Sequence, residues 1–489
     1  MTLTRGISTS LGRMVLRGTA RLIGGRVART IVTLAGIAVL ARLLTPGDFG
    51  VVAVAAMILP LSRALLDGLI DVPTIREDAL DQEGLANLIW VGVTLMTGLA
   101  VLLWLAAPGL AVLLNSSRLD DVLRVLCFGL LLQPFIASSH ALLRREHRFG
   151  LSALFMPVAG AAYVLTAIAL ALLDFGVWSL ILGQIASLAI TAAGLGLISG
   201  IPIRPPRQFR IGAAWRLGGL GLATRLLAWM SANVDTLFAS AMLGAAGAGF
   251  YSRAYNITTQ LKEPFSALDQ TVRQAFVAQR SLDDAAAARA TLGGLRLVVL
   301  AAAMVSAAVI VLRDPIVALL LGSQWGAVVL PLAILAASLP ARVARLYLDG
   351  FTYARGSMRH MLVRNIAIVG LLAGGLWLWA GEGIVAIALV VAAMHVGTLF
   401  FRGGAVDIAV AGGMGQRLAA MAPGYATGAA LVALGEMPGL IWPGAADMID
   451  WSVRVAVCAL CYLCVVLAVP GRWLPRSIAE WRRRRSPLR

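Results

Sequence analysis

Runs of about 20 apolar residues recur along this chain with only short polar breaks, and no motif limits the possible folds as strongly. Fourteen such runs can be counted, at approximately 21–44, 48–72, 84–107, 119–142, 150–173, 175–199, 213–243, 247–272, 293–312, 325–350, 361–380, 383–409, 416–435 and 450–469. A helix of that length crosses the hydrocarbon core of a bilayer. In lipid, only helices or closed barrels satisfy their own backbone hydrogen bonds. The chain is 60% hydrophobic and 13% charged, with a mean hydropathy of +0.86. Its polar residues could not cover the exterior of a soluble globule of 489 residues. The expected fold is an all-α polytopic membrane protein of about 14 transmembrane helices.

The net charge of +17 could point to nucleic acid, but the arginines sit between apolar runs, where anionic lipid headgroups are the neighbours. Every second connection collects them, apart from 73–83, where Arg76 is outnumbered by Glu77, Asp78, Asp81 and Glu83: Arg144, Arg145 and Arg148; Arg204, Arg207 and Arg210; Arg273, Arg280 and Arg289; Arg355 and Arg359; Arg402; and the tail Arg482–Arg485. The alternate connections are poor in arginine. By the positive-inside rule both termini are expected in the cytoplasm, with Met1–Arg21 forming a basic amphipathic arm rather than a cleavable signal. The four cysteines lie inside apolar runs. Cys458, Cys461 and Cys464 form a CxxCxxC pattern with no His or carboxylate nearby, which reads as small-residue helix packing.

Ala41–Gly50 (ARLLTPGDFG) closes one run and opens the next. Pro46 fixes φ, Gly47 bends freely and Asp48 reads as a cap. Leu243–Gly249 does the same later in the chain, and aligning Gly50 with Gly249 keeps the flanking runs in step. Pro108–Leu114 and Pro315–Leu321 also echo one another in the same sense, as parallel repeats do. The proline-rich segment Ile201–Arg210 cannot continue a helix and divides the chain. The expected organisation is a six-helix bundle with its arm at 1–200, a cytoplasmic linker at 201–212 and a second six-helix bundle at 213–411. Residues 412–489 supply two accessory helices and a basic tail, and the two bundles enclose a central cleft.

Leu40–Pro46 with Asp48-Phe49-Gly50, Asn233-Val234-Asp235 leading to Gly249–Tyr255, and Gln324-Trp325 before Pro331–Leu335 follow one another in a specific order. In that order the chain resembles the polysaccharide transporter family of lipid-linked oligosaccharide flippases. That family belongs to the multidrug/oligosaccharidyl-lipid/polysaccharide exporter superfamily. The stretch Gly68–Thr74 departs from the glycine-rich run usual there. The resemblance implies a transporter rather than an enzyme. Its implied cargo is a polyprenyl-diphosphate-linked glycan, moved by alternating access across a bacterial inner membrane for exopolysaccharide, capsule or lipopolysaccharide O-antigen synthesis. No cofactor is implied, although a proton or sodium ion could supply coupling. The implied partners are membrane lipids and, in the pathway, a polysaccharide polymerase and glycosyltransferases.

Charges within spans are costly and are therefore candidates for function. In the Gly50/Gly249 register Arg26 aligns with Arg225, and Arg63 aligns with Lys262, the only lysine. Two cations thus recur at equivalent depth, and convergent guanidinium groups suit a diphosphate. The structural alternatives are snorkelling of Arg26 and Arg225 to headgroups, and ion pairing of Arg63 with Asp67 and of Lys262 with Glu263. Asp235 could pair with Arg225 or Arg253, or take up a coupling ion. Arg253 could equally contact headgroups at the outer surface. His140 has no acid placed to make a triad, and Gly219–Thr224 lacks the strand a dinucleotide loop needs. Gly196–Gly200 and Gly370–Gly374 read as close helix contacts. Three rivals remain. A peptidoglycan-precursor flippase shares the headgroup chemistry, and a drug/cation antiporter would want an acidic cleft. A membrane glycosyltransferase or polymerase would want a large loop with catalytic carboxylates.

Overall fold

The computed structural model describes residues 32–71, 74, 81–146, 148–209, 219–278, 284–354, 358–400, 413–441 and 447–468. All regular structure among these residues is helical. Arg26, the N-terminal arm, the 401–412 connection and the basic tail lie outside them.

The chain divides into two compact units. The first comprises Met1–Arg253, Leu319–Gly326 and Asn365–Ile387. It holds α1 (Val32–Leu43), α2 (Pro46–Ala56), α3 (Ile58–Leu66), α4 (Gln82–Leu113), α5 (Leu119–Leu130), α6 (Gln133–Arg145), α7 (Phe149–Ala171), α8 (Val177–Ser199) and the first part of α9 (Gly219–Ala278). The second comprises Ala254–Ala318, Ala327–Arg364 and Ala388–Arg489. It holds the rest of α9, α10 (Asp284–Val311), most of α11 (Arg313–Leu320), α12 (Val329–Ala337) and α13 (Leu339–Ala354). The start of α14 (Met358–Trp379), most of α15 (Ile384–Gly397), α16 (Met414–Ile441) and α17 (Asp447–Ala468) complete it.

Eight helices among the described residues are long and apolar enough to cross a membrane, or nine if α12 and α13, bent by 42° at their junction, form one span. Three shorter apolar helices accompany them. The runs expected at 213–243 and 247–272 are two helices, the two arms of α9, that meet at a sharp kink at Gly244. Its φ of 71° is in the left-handed region that glycine enters at little cost. Large apolar side chains face outward, with Leu197 85% and Val112 84% exposed. In water such surfaces would drive aggregation, whereas in a bilayer they are the solvated face.

The interior of unit 1 is built from Leu40, Phe49, Leu66, Ile70, Ile89 and Met96, all essentially inaccessible. In unit 2, Leu295, Val299, Ala341, Ala344 and Tyr347 form a core with Ala420 and Met421 of α16. Small residues let α16 lie directly on α10: a side chain at Gly424, Gly428 or Gly435 would meet Val299, Ala303 or Val311. Gly370 and Gly374, read from sequence as a helix contact, instead face open space among the described residues, and Gly200 is a left-handed helix cap. Close helix contact through glycine is made instead by Gly424 and Gly428, which the sequence reading did not single out.

The three motif stretches meet at one place in unit 1. Thr45, rather than Asp48, is the N-cap of α2. Asp48 closes a capping box by accepting from Thr45 N at 3.1 Å and also pairs with Arg118 at 3.1 Å. Trp325 donates from Nε1 to Ala41 O at 2.9 Å, and its ring meets Phe49 and Phe250 edge-on at 5.4 and 5.7 Å. Gln324 donates to the same Ala41 carbonyl at 2.6 Å, and Arg42 donates to Leu319 O at 2.9 Å. Beneath these, α2 and α9 touch backbone to backbone. A Cβ on Gly50 would collide with Ala245 O, and one on Gly249 would collide with Pro46 O. The contact is reciprocal: Pro46 and Ala245, like Gly50 and Gly249, are counterparts in the register read from sequence.

Candidate functional site

Arg63 lies in the last turn of α3, and Asp67 follows one turn later, at the start of a five-residue π-helical turn, Asp67–Asp71. The widened turn falls on the stretch that departs from the family pattern, and such turns often mark functional positions. Arg63 Nε contacts Asp67 Oδ1 at 3.1 Å, as the i,i+4 spacing predicts. The other oxygen, Oδ2, takes Arg225 Nη1 at 2.6 Å. Arg225 is held in place one turn on, where Trp229 Nε1 donates to Met57 O at 2.9 Å at the α2–α3 junction. Two guanidiniums thus converge on one carboxylate, leaving one formal positive charge. The three side chains are 26–39% exposed, so all can be reached. His140 on α6 stands within electrostatic reach of Arg63 and Arg144.

Asp235 is buried to 1% exposure and accepts from Tyr251 Oη at 2.5 Å and from Thr236 N at 2.8 Å. Arg253 places its guanidinium 4.6 Å from the centre of the Phe49 ring, within the aromatic cluster. Its immediate surroundings are therefore aromatic.

Lys262 belongs to a second cluster, in unit 2, that sequence reading missed. Arg342, Arg345 and Glu263 lie within electrostatic reach of it. Arg342 donates to Thr258 Oγ1 at 3.2 Å and Thr259 Oγ1 at 3.1 Å and stacks 5.0 Å from the Tyr255 ring centre. Arg345 and Arg364 flank Asp349 at 3.5 and 2.6 Å. His395 on α15 faces Arg342, Arg345 and Lys262. Ser266, the register counterpart of Asp67, carries no charge and donates to Glu263 O at 2.7 Å. A signal for this cluster existed in the sequence. Arg342, Arg345 and Asp349 all fall inside one expected span, where charge is expensive.

A model of one family, described as polysaccharide biosynthesis protein, matches residues 39–330. The chain belongs to that family. It is 24% identical over 342 residues to the succinoglycan biosynthesis transport protein ExoT of Rhizobium meliloti (strain 1021), covering 69% of each chain. It is 25% identical over 226 residues to the lipopolysaccharide biosynthesis protein WzxC of Escherichia coli (strain K12), covering 45% of each. Among solved structures, the lipid II flippase MurJ in an inward closed conformation superposes with a TM-score of 0.72 at 11% identity. That match covers 91% of this chain and 97% of MurJ and shows that the two share a polytopic helical fold. Family and fold together make this a multi-pass membrane protein of a polysaccharide-biosynthesis family.

Proposed function

We propose that this protein translocates a polyprenyl-diphosphate-linked oligosaccharide across the bacterial inner membrane by alternating access. The product would feed exopolysaccharide, capsule or O-antigen assembly, and both termini are assigned to the cytoplasm. The observation that carries the reading is Asp67 between Arg63 and Arg225, an accessible cationic cluster among membrane-spanning helices. The Lys262 cluster adds further cations. A diphosphate leaving water for a low-dielectric site needs such charges, because an unpaired anion there is prohibitively costly. The same surplus argues against a cation antiporter, whose site would need an acidic excess. The transport name of the relative ExoT supports the direction of the reading. Pathway glycosyltransferases and a polymerase are the partners this role would require, and a proton or sodium ion would supply coupling.

The test is reconstitution in proteoliposomes containing a fluorescent undecaprenyl-diphosphate-linked sugar, with an impermeant quencher added outside. Protein-dependent exchange between leaflets is expected for that lipid but not for an uncharged dolichol-type glycolipid. No exchange of any diphosphate-linked glycan, or equal exchange of both lipids, refutes it. A lipid II arm separates the peptidoglycan-precursor alternative.

A further inference from the structure

Within the second cluster one guanidinium has an unused edge. Arg364 meets Asp349 Oδ1 through Nη1 at 2.6 Å, while its Nε and Nη2 are shielded from solvent and have no hydrogen-bond partner among the described residues. Those two N–H groups lie side by side on one edge of the planar guanidinium and point the same way. That edge takes both oxygens of a carboxylate, or two oxygens of a phosphate, at once. Buried donors left unbonded are unfavourable and call for an explanation, of which a missing ligand is one.

The surroundings favour an anion. Arg345 stands within electrostatic reach of Arg364, and Lys262 within reach of Arg345. His395 Nε2, facing Arg345 and Lys262, is likewise shielded and unbonded among the described residues. Among the described residues in electrostatic reach of one another there, Lys262, Arg342, Arg345 and Arg364 face Asp349 and Glu263, four cations against two carboxylates. Arg342 is already occupied by Thr258, Thr259 and the Tyr255 ring, so it supplies charge rather than open donors. The open polar atoms and the surplus charge fall in the same small region.

We propose that the Nε/Nη2 edge of Arg364, backed by Arg345 and Lys262, is a second oxyanion site built from residues distinct from the Asp67 cluster. It rests on the flippase reading and extends it. The oxyanion has two possible sources, an acidic sugar of the glycan or the lipid diphosphate itself. A carboxylate on the glycan would give this half of the transporter a means of telling acidic from neutral oligosaccharides.

The test measures affinity of the full-length protein in lipid nanodiscs for undecaprenyl-diphosphate-glucose and undecaprenyl-diphosphate-glucuronate. Arg364→Gln and Arg364→Lys are compared with wild type. The lysine variant keeps a charge for Asp349 but lacks the fork, so it guards against simple misfolding. Both variants are expected to weaken binding about tenfold or more at unchanged melting temperature. Loss confined to the glucuronate lipid identifies the glycan acid as the source. Equal loss for both lipids identifies the diphosphate. Unchanged affinity of both variants for both lipids overturns the site. If wild type binds neither lipid, the flippase reading fails separately. In that case soluble glucuronate and inorganic pyrophosphate decide the site, through an Arg364-dependent rise in melting temperature or its absence.

Discussion

The backbone contact between α2 and α9 offers a sharp perturbation. A methyl group at Gly50 would land on Ala245 O, with the Ala245 carbonyl carbon and Gly249 N close behind. All three are backbone atoms, so no side chain can rotate away and the two helices must separate. Overpacking of this kind costs about 1–3 kcal/mol. If the contact exists in only one state of the transport cycle, that cost shifts the equilibrium toward the other state by about 5–150-fold. The reporter is Phe250→Cys in a cysteine-free background, because Phe250 borders the contact and touches Trp325. Modification by an impermeant thiol reagent is followed on intact cells. Gly50→Ala and Gly249→Ala should each raise the labelling rate within that range, and Gly47→Ala, which meets nothing closer than Thr45 Oγ1 at 3.7 Å, should not. Unchanged labelling in both seam variants at normal abundance would refute the idea that this contact exists in only one state of the transport cycle.

Four further outcomes are expected. Cysteine at Ser117, an exposed loop position, should react from outside, whereas cysteine at Gln208 should be protected until the membrane is opened. The reverse pattern inverts the assigned topology. Asp67→Asn should tighten binding of a diphosphate-linked lipid several-fold while slowing its exchange, read by nanodisc affinity and proteoliposome kinetics. Weaker binding would count against the counter-ion role. Asp235→Asn keeps an acceptor for Tyr251 and should cost about 1–2 kcal/mol of stability with transport retained. Loss of gradient-driven transport at wild-type abundance would instead assign Asp235 to coupling. Glu436 receives Arg313 at 2.5 Å and Arg454 at 2.7 Å, and Arg454 also holds Asp450 at 2.7 Å. Glu436→Gln should therefore lower the melting temperature through a loss of at most about 3–5 kcal/mol, and an unchanged melting curve would show the network to be dispensable.

The helical membrane fold was legible because lipid leaves few solutions for a long apolar run, and the Gly50/Gly249 alignment was legible because close backbone contacts demand glycine. The i,i+4 pair of Arg63 and Asp67 could be read from spacing alone. Its third member could not. Arg225 reaches Asp67 from a helix remote in sequence, and no local pattern encodes that meeting. The arginines of α13 were visible as charges, but the register of the two halves singles out positions that repeat, and Arg342 and Arg345 fall opposite Leu143 and Glu146 rather than a cation. Gly370 and Gly374 failed for the opposite reason: the spacing was present, but no atom of the described residues comes close enough to use it.

Both clusters contain their own carboxylate, and on the proposed reading this is a mechanistic requirement. A bare pair of guanidiniums inside a bilayer would be costly whenever the substrate is absent. Asp67 supplies a counter-ion to Arg63 and Arg225 in the empty state, and Asp349 does the same for Arg345 and Arg364. An arriving oxyanion therefore does not gain the full attraction of the cations, since it shares them with a carboxylate already there. Its net affinity is the difference between two similar interactions, which keeps binding moderate. Moderate binding is what a transporter needs: a headgroup held by uncompensated charge would be captured from one leaflet and never released to the other.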